Sequence, residues 1–331
     1  MKSIEVPCHI GMRGRFRLTC RTSEGSVTKD TGWFDNIITD QGMDWFGTTP
    51  PNYGVSYGQP LFPTHCAVGT GSTTPAYTDT RMTTFLAMYP ASPSSNVEAP
   101  SSTSIQTTTS PYYISRIFTY TFPTGAAAGN LTEVGVGNCA STDTQPQLFN
   151  HALIVDGGGS PTTLTVTATE ALTVEYEFRM YPSTTLTAYS FVMNSVTYSG
   201  QYYVAINNAN PGSLATLSYD INGVFAMLVY NGSIGAVTGT PSGTSTRPNN
   251  TDGQGTTNSW ASYTTGSYTL SQTMVIGLGA GNLPSPYITA IMLENDTFPS
   301  FQFSVSPAIP KTSSYTLSLT WNWSWSRYPG S

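Results

Sequence analysis

Charge is what this 331-residue sequence has least of: 9% of its residues are Asp, Glu, Lys or Arg, against roughly 25% in an ordinary globular protein. Basic residues are the scarcer sign, twelve Lys and Arg against eighteen acids, for a formal net charge of −6. A nucleic-acid binder neutralises phosphates with a basic face, and this composition does not supply one. Cysteine is limited to Cys8, Cys20, Cys66 and Cys139, with no CxxC pair among them; buried free thiols are expected rather than a disulfide framework. Histidine occurs at 9, 65 and 151 only. The adjacent pairs Cys8-His9 and His65-Cys66 do not suggest a metal site, because neighbours on a strand point to opposite faces. No run of about eighteen apolar residues is present, so no membrane-spanning helix is expected. The N-terminal MKSIEVPCHIGMRGRF lacks the apolar core of a secretory signal, so synthesis in a cytoplasm is expected. Asn-X-Ser/Thr triplets such as those at Asn130, Asn231, Asn295 and Asn322 then read as chance in a Ser- and Thr-rich chain.

What remains is rich in strand formers and turn formers. Hydrophobic residues make up 38% and aromatic residues 12%, with 31 Gly, 23 Pro and 20 Tyr. Tyr and Thr favour strands, while Gly and Pro break helices. A disordered chain would have few aromatics and much charge. At this length two domains are expected.

Apolar-polar alternation recurs along the chain. Phe16, Leu18 and Cys20 alternate with Arg15, Arg17, Thr19 and Arg21; Arg13, Arg15 and Arg17 therefore share one strand face, solvated or turned to a partner. Ile114 to Phe122 reads as an apolar-aromatic strand. Leu153-Ile154-Val155 stops at the turn Asp156-Gly157-Gly158-Gly159. Leu172, Val174, Tyr176 and Phe178 line one face of a strand, opposite Thr173, Glu175, Glu177 and Arg179, a charged face expected to meet water. Further strands are expected over 202–206, 224–230, 274–278, 287–293 and 301–305. The one predicted helix is short, Asp40 to Phe46, with Asp40 as N-cap and Met43 with Trp45 or Phe46 facing inward. Residues 91–111 and 236–259 are poor in apolar residues and read as long exposed loops.

Two eleven-residue phrases match. LTVEYEFRMYP begins at Leu172 and LTWNWSWSRYP begins at Leu319, 147 positions later. In the second, Tyr315, Leu317, Leu319, Trp321, Trp323 and Trp325 line one face, which needs a core or a partner against it. The match fits two similar β units, each closed by a long strand, with the boundary at Pro182; a coincidence in a Thr- and Tyr-rich chain explains it equally well.

Five further phrases carry a resemblance: Phe34-Asp-Asn-Ile-Ile-Thr-Asp-Gln-Gly-Met-Asp44, Cys66-Ala-Val-Gly-Thr-Gly-Ser-Thr-Thr-Pro-Ala-Tyr-Thr-Asp-Thr80, Asn130-Leu-Thr-Glu-Val-Gly-Val136, Leu148-Phe-Asn-His-Ala-Leu153 and Leu172-Thr-Val-Glu-Tyr-Glu-Phe178. In this order they resemble phrases of structural proteins from tailed bacteriophages, over roughly residues 30–182; His151 stands where the resembled phrase has Arg. The resemblance implies a β fold in a virion component without catalysis or cofactors. It brings no functional residues with it and does not extend to 183–331. The phrases also have a physical reading. Gly69 and Gly71 are expected to flank a tight turn with positive φ, and Pro75 and Asp79 suit turn and cap positions. Glu133, among small apolar residues, is either an exposed edge carboxylate or a buried one partnered by Arg116 or backbone amides.

Catalytic patterns are weak. GxSxG is absent, and no histidine sits in a triad-like phrase. Gly277, Gly279 and Gly281 are spaced as a turn rather than as a phosphate loop. Asp220, Asp252, Glu294 and Asp296 are the acids a glycosidase would draw on in the second half, with Glu294 and Asp296 expected to lie in a turn. The loop Asn249 to Gly255 lacks the acids of a calcium site. Aromatic residues at Tyr53, Tyr57, Tyr77, Tyr112, Tyr113, Tyr202, Tyr203 and Trp260 suit either sugar stacking or an assembly interface. Trp321, Trp323, Trp325, Tyr176 and Phe178 are candidate packing or interface residues.

These observations lead to an all-β chain of two β-sandwich, jelly-roll-like units, residues 1–182 and 183–331, mostly antiparallel with long loops. The function expected with the resemblance is a non-enzymatic component of a tailed-phage virion. It would be tail-associated, of baseplate or tail-fibre type, and would assemble as a symmetric oligomer that supports host attachment. Its partners would be copies of itself and other virion proteins, without cofactor, metal, nucleic acid or membrane insertion. A capsid decoration or head-fibre protein is one alternative; a tail-tip protein that binds or depolymerises host glycan is another.

Overall fold

The structure, a computed structural model, describes residues 5–47, 63–89, 102–139, 143–206, 226–248, 256–294 and 299–329. Within them the chain is all-β apart from one short helix. The first strands are β1 (Glu5–Thr22), β2 (Val27–Asp30) and β3 (Phe34–Ile38), followed by α1 (Asp40–Asp44). Next come β4 (His65–Gly69), β5 (Phe85–Tyr89), β6 (Ser102–Gln106), β7 (Tyr113–Phe122), β8 (Gly129–Leu131), β9 (Glu133–Asn138), β10 (Gln147–Leu153), β11 (Leu164–Val166) and β12 (Glu170–Pro182). The remainder is β13 (Thr187–Met193), β14 (Val196–Ala205), β15 (Ala226–Tyr230), β16 (Ser245–Thr246), β17 (Thr256–Trp260), β18 (Thr269–Ile276), β19 (Ile288–Glu294), β20 (Ser300–Ile309) and β21 (Leu317–Arg327). No helix among the described residues is long and apolar enough to cross a membrane.

β1 organises the sheet. Along one edge it pairs antiparallel with β12, from Ile10 opposite Pro182 to Thr22 opposite Glu170. Along the other it pairs parallel with β21 from Glu5 to Met12, then antiparallel with β3 and with β2. The two matching phrases thus lie on opposite sides of one strand, and their tyrosines meet: the rings of Tyr181 and Tyr328 stack at 3.8 Å. A Cβ on Gly11 would come within 2.8 Å of the Tyr328 ring, so the stack lies against bare backbone. Pro182 ends β12, but β21, β18 and β17 return to the sheet that holds β1.

One face of β1 is apolar throughout. Cys8, Ile10, Met12, Phe16, Leu18 and Cys20 are all buried, as period-two alternation requires. Phe16 packs on Tyr176 at 5.1 Å, Phe118 stacks on Tyr176, and Phe149 meets both Tyr176 and Phe178 edge-on. Nearer the chain's end the six-stranded sheet β13-β14-β20-β19-β15-β16 packs on β21: Phe303 lies 4.7 Å from Trp321, and Phe301 meets Trp323 edge-on. The third tryptophan turns to the helix, where Trp325 Nε1 donates to Met43 O at 2.7 Å. Trp321, Trp323, Trp325, Tyr176 and Phe178 are at most 3% exposed. They are interior packing residues, covered by their own chain rather than by a partner.

The polar face of β1 is an ion-pair ladder. Arg13 pairs with Asp35, Arg15 with Glu177, and Arg17 with Asp30 and Glu175. The hydrogen bond from Arg17 holds the Asp30 carboxyl down at about 2. Contrary to expectation, the charged face of β12 does not simply meet water. Glu177 is buried between Arg15 and Arg179, and Arg179 lies over the Tyr113 ring at 4.3 Å.

Several other expectations need correction. The helix N-cap is Thr39, not Asp40: its Oγ1 accepts from Gly42 N at 2.9 Å and donates to Leu148 O at 2.8 Å. Tyr315 lies outside β21 and is 62% exposed. Ser102–Gln106, within the first expected loop, forms β6 beside β7. Thr256–Trp260, at the end of the second, forms β17 beside β18. The Asp156 turn forms as read, its Oδ1 accepting from Gly158 N and Ser160 N. The four cysteines are free and buried, and burial pushes the Cys8 and Cys66 thiols well up.

Replacing Trp321 by alanine removes a fully buried ring system and should lower unfolding free energy by about 3–5 kcal/mol. Tyr315→Ala, at an exposed position, should stay within about 0.5 kcal/mol. Urea titration of both variants checks this; equal losses would contradict the placement of the two side chains.

Candidate functional site

Three of the five phrases singled out in the sequence, 66–80, 130–136 and 148–153, converge on one place. Glu133, at the start of β9, is fully buried. Its carboxylate accepts hydrogen bonds from Gly71 N at 3.0 Å, Thr84 N at 2.8 Å and Thr83 N at 3.2 Å. A fourth partner is His151 Nε2 of β10, at 2.9 Å. The other ring nitrogen of His151 reaches Asp79 Oδ2 at 2.8 Å, and that oxygen also accepts from Ala76 N. One imidazole thus bridges two carboxylates and fastens the 70–84 connection between β4 and β5 onto β9 and β10.

The glycines are explained by this seat. Neither Gly69 nor Gly71 has the expected positive φ. A Cβ on Gly71 would come within 2.5 Å of a Glu133 carboxylate oxygen, and one on Gly69 closer still. The spacing makes room for a buried carboxylate rather than for a left-handed turn. The partner of Glu133 is the amide set together with His151, not Arg116. Arg116 faces inward on β7, opposite Phe178 and over the Phe118 ring, and burial lowers its pKa to about 10.

The electrostatics follow from geometry. Burial would raise the Glu133 carboxyl, but the hydrogen bonds from His151, Thr84 N and Gly71 N outweigh it and hold the group at about 2, against an ordinary 4.5. Burial would lower His151, but the bonds to Glu133 and Asp79 raise it above its ordinary 6.5. An imidazole donates from both nitrogens only when protonated, so the ring sits as a cation between two anions. A general base needs a free nitrogen facing a substrate. Here both are committed and the side chains of His151 and Glu133 are wholly enclosed. The arrangement can hold a loop; it offers nothing to a substrate.

A second convergence joins the first phrase to the chain's end. Asp40 accepts from Arg327 at 2.7 Å and from the Tyr268 hydroxyl at 3.1 Å. Asp44 accepts from the Tyr263 hydroxyl at 2.6 Å and Gly266 N at 2.7 Å. Arg327 also donates to Ile38 O and lies over the Tyr77 ring at 4.0 Å.

The other candidates are dispersed. His65 is buried beside Thr64, and burial lowers its pKa to about 4. His9 sits between Ser324 and Ser326 on the outer face. Tyr202 is a buried residue stacked on Phe303, and the Tyr203 hydroxyl donates to Gly235 O; neither is a free sugar platform. Trp260 is partly buried against the core. Tyr112 and Tyr113 are half-buried. Tyr53, Tyr57, Asp220, Asp252 and Asp296 lie outside the described residues; Glu294 pairs with Arg247. No group of three or more His, Cys, Asp or Glu among the described residues could hold a metal ion. Comparison of the chain with protein-family models, curated proteins and solved structures finds no match.

Glu133→Ala leaves His151 and three amides facing an uncompensated site and should cost about 3–5 kcal/mol. The tie also sets a pH window. The Glu133 contribution is complete above about 4.5 and lost as pH falls from there towards about 2. The His151 contribution is complete below 6.5 and lost as pH rises through the raised folded value. His65 acts in the opposite sense, destabilising as pH falls below 6.5. The difference between wild type and His151→Gln therefore isolates the tie. Urea midpoints across pH should show an alkaline decline in the wild type that is smaller in the variant; identical declines would contradict the bridge.

Proposed function

We propose that this chain is a non-enzymatic structural component of a tailed-bacteriophage virion, tail-associated and of baseplate or tail-fibre type. It works as a symmetric oligomer with copies of itself and other virion proteins and supports host attachment. The observation that carries the reading is the convergence just described. Three of the five phage-like phrases meet in a buried tie whose one basic ring has both nitrogens committed, so the chemistry there is spent on architecture. His151 places a cation between Glu133 and Asp79. Two features add support. Arg13, Arg15 and Arg17 of β1 are paired with carboxylates of their own chain, and Arg21 donates to Gly25 O, which leaves no phosphate-binding row there. The glycan alternative loses two of its aromatics, since Tyr202 packs inside and Tyr203 bonds internally.

Antibody against the purified chain, gold-labelled and applied to tailed particles from the host lysate, tests the assignment. Label on the tail is the expected result. Absence from purified particles would overturn the virion reading, and label on the head would select the capsid alternative. Release of new reducing ends from host polysaccharide would contradict the non-enzymatic part.

A further inference from the structure

The six-stranded sheet ends on β13, and no described strand pairs with its outer edge. Natural proteins protect such edges with lysines, prolines or bulges, because open main-chain donors and acceptors recruit another strand. β13 has none of these. From Met180 to Tyr219 the sequence holds no Asp, Glu, Lys or Arg, and the register against β14 is unbroken from Thr187 to Met193. A two-residue turn at Asn194-Ser195, with φ of 51° and 63°, fixes the hairpin, as primed turns do. Antiparallel alternation from that turn leaves the main-chain groups of Ala188, Ser190 and Val192 directed away from β14. Three of the large apolar side chains most open to solvent lie here: Leu186 and Val192, each 44% exposed, and Val196, 41% exposed.

We infer that the free edge of β13 pairs antiparallel with the same edge of a second copy, across a two-fold axis at Ser190. The occupant follows from charge and symmetry. Two chains of net charge −6 repel least through an uncharged strip, and a two-fold contact sets this strip against itself. The register centred on Ser190 also matches side chains. Ala188 faces Val192 of the partner subunit on the open side, small against branched, and Tyr189 faces the partner subunit's Phe191 on the covered side, aromatic against aromatic. The two six-stranded sheets then continue as one. This deepens the oligomer part of the proposed function without depending on a virion location.

The test uses the full chain. In sedimentation velocity over a micromolar series the wild type should dimerise. Ser190→Lys, at an exposed position, sets two like charges at the axis and should weaken the dimer about tenfold or more, with the thermal midpoint of the dilute monomer unchanged. Ser190→Cys should give a single dimer band with a short bis-maleimide, while Ser314→Cys, also exposed, should not; the native thiols are buried. A monomer, an odd-numbered oligomer, a dimer indifferent to Ser190→Lys, or no crosslink through Cys at 190 would overturn the inference. Particles that contain the protein with an idle edge would remove only this contact; a working edge in a protein missing from particles would remove only the location.

Discussion

The structure depends on one long strand that has a partner at every residue and is held on both edges over most of Ile10 to Arg21. β1 runs eighteen residues, long for a strand, and every stretch of it from Glu5 to Thr22 has a neighbour on at least one side. Its apolar face cannot be left in water and its main-chain groups cannot be left unpaired inside a protein. β12 meets both needs on one edge, and β21, β3 and β2 share the other. The halves of the chain are joined by main-chain hydrogen bonds as well as by packing, and the apolar cluster runs without a break from Phe16 and Tyr176 to Trp321 and Phe303.

The two sides of this sheet solve different problems. The inner side is aromatic, and its rings meet tilted, edge-on or stacked with centroids 4.7–6.5 Å apart, arrangements the ring quadrupole favours. The outer side uses few charges but pairs them, Arg13 to Asp35 and Arg17 to Asp30. Where charges stop, hydroxyl and amide contacts take over: Thr273 meets Thr320 at 2.8 Å and Ser271 donates to Asn322 at 2.6 Å. Exposed pairs of this sort add little stability. What they add is register, since slipping β1 by one residue would bring the arginines inside.

Much of this was legible in the residues. Alternation at 15–21, 114–122, 172–178 and 317–325 gave the all-β class and the buried faces, because period two is a local property. The short helix and the Asp156 turn were legible for the same reason. Direction was not. The phrases at Leu172 and Leu319 are buried alike, yet one runs antiparallel to β1 and the other parallel, and alternation carries no sign of direction. β6 and β17 are edge strands made mostly of Ser, Thr and Asn, with one large apolar residue each, so no alternating apolar face marks them in the sequence. Glu133 stands out among small apolar neighbours, but its partner His151 lies eighteen residues away and its amide donors come from a third segment, a convergence only the fold supplies. The glycines at 69 and 71 have ordinary backbone, and what excludes a side chain there is the carboxylate beside them, which glycine spacing alone does not reveal.

The central claim is that β1 makes the described chain one cooperative unit despite the break at Pro182. Differential scanning calorimetry of the full chain tests this most directly. The account predicts one transition whose calorimetric and van't Hoff enthalpies agree; two resolved transitions, with residues after Pro182 melting apart from those before it, would contradict it.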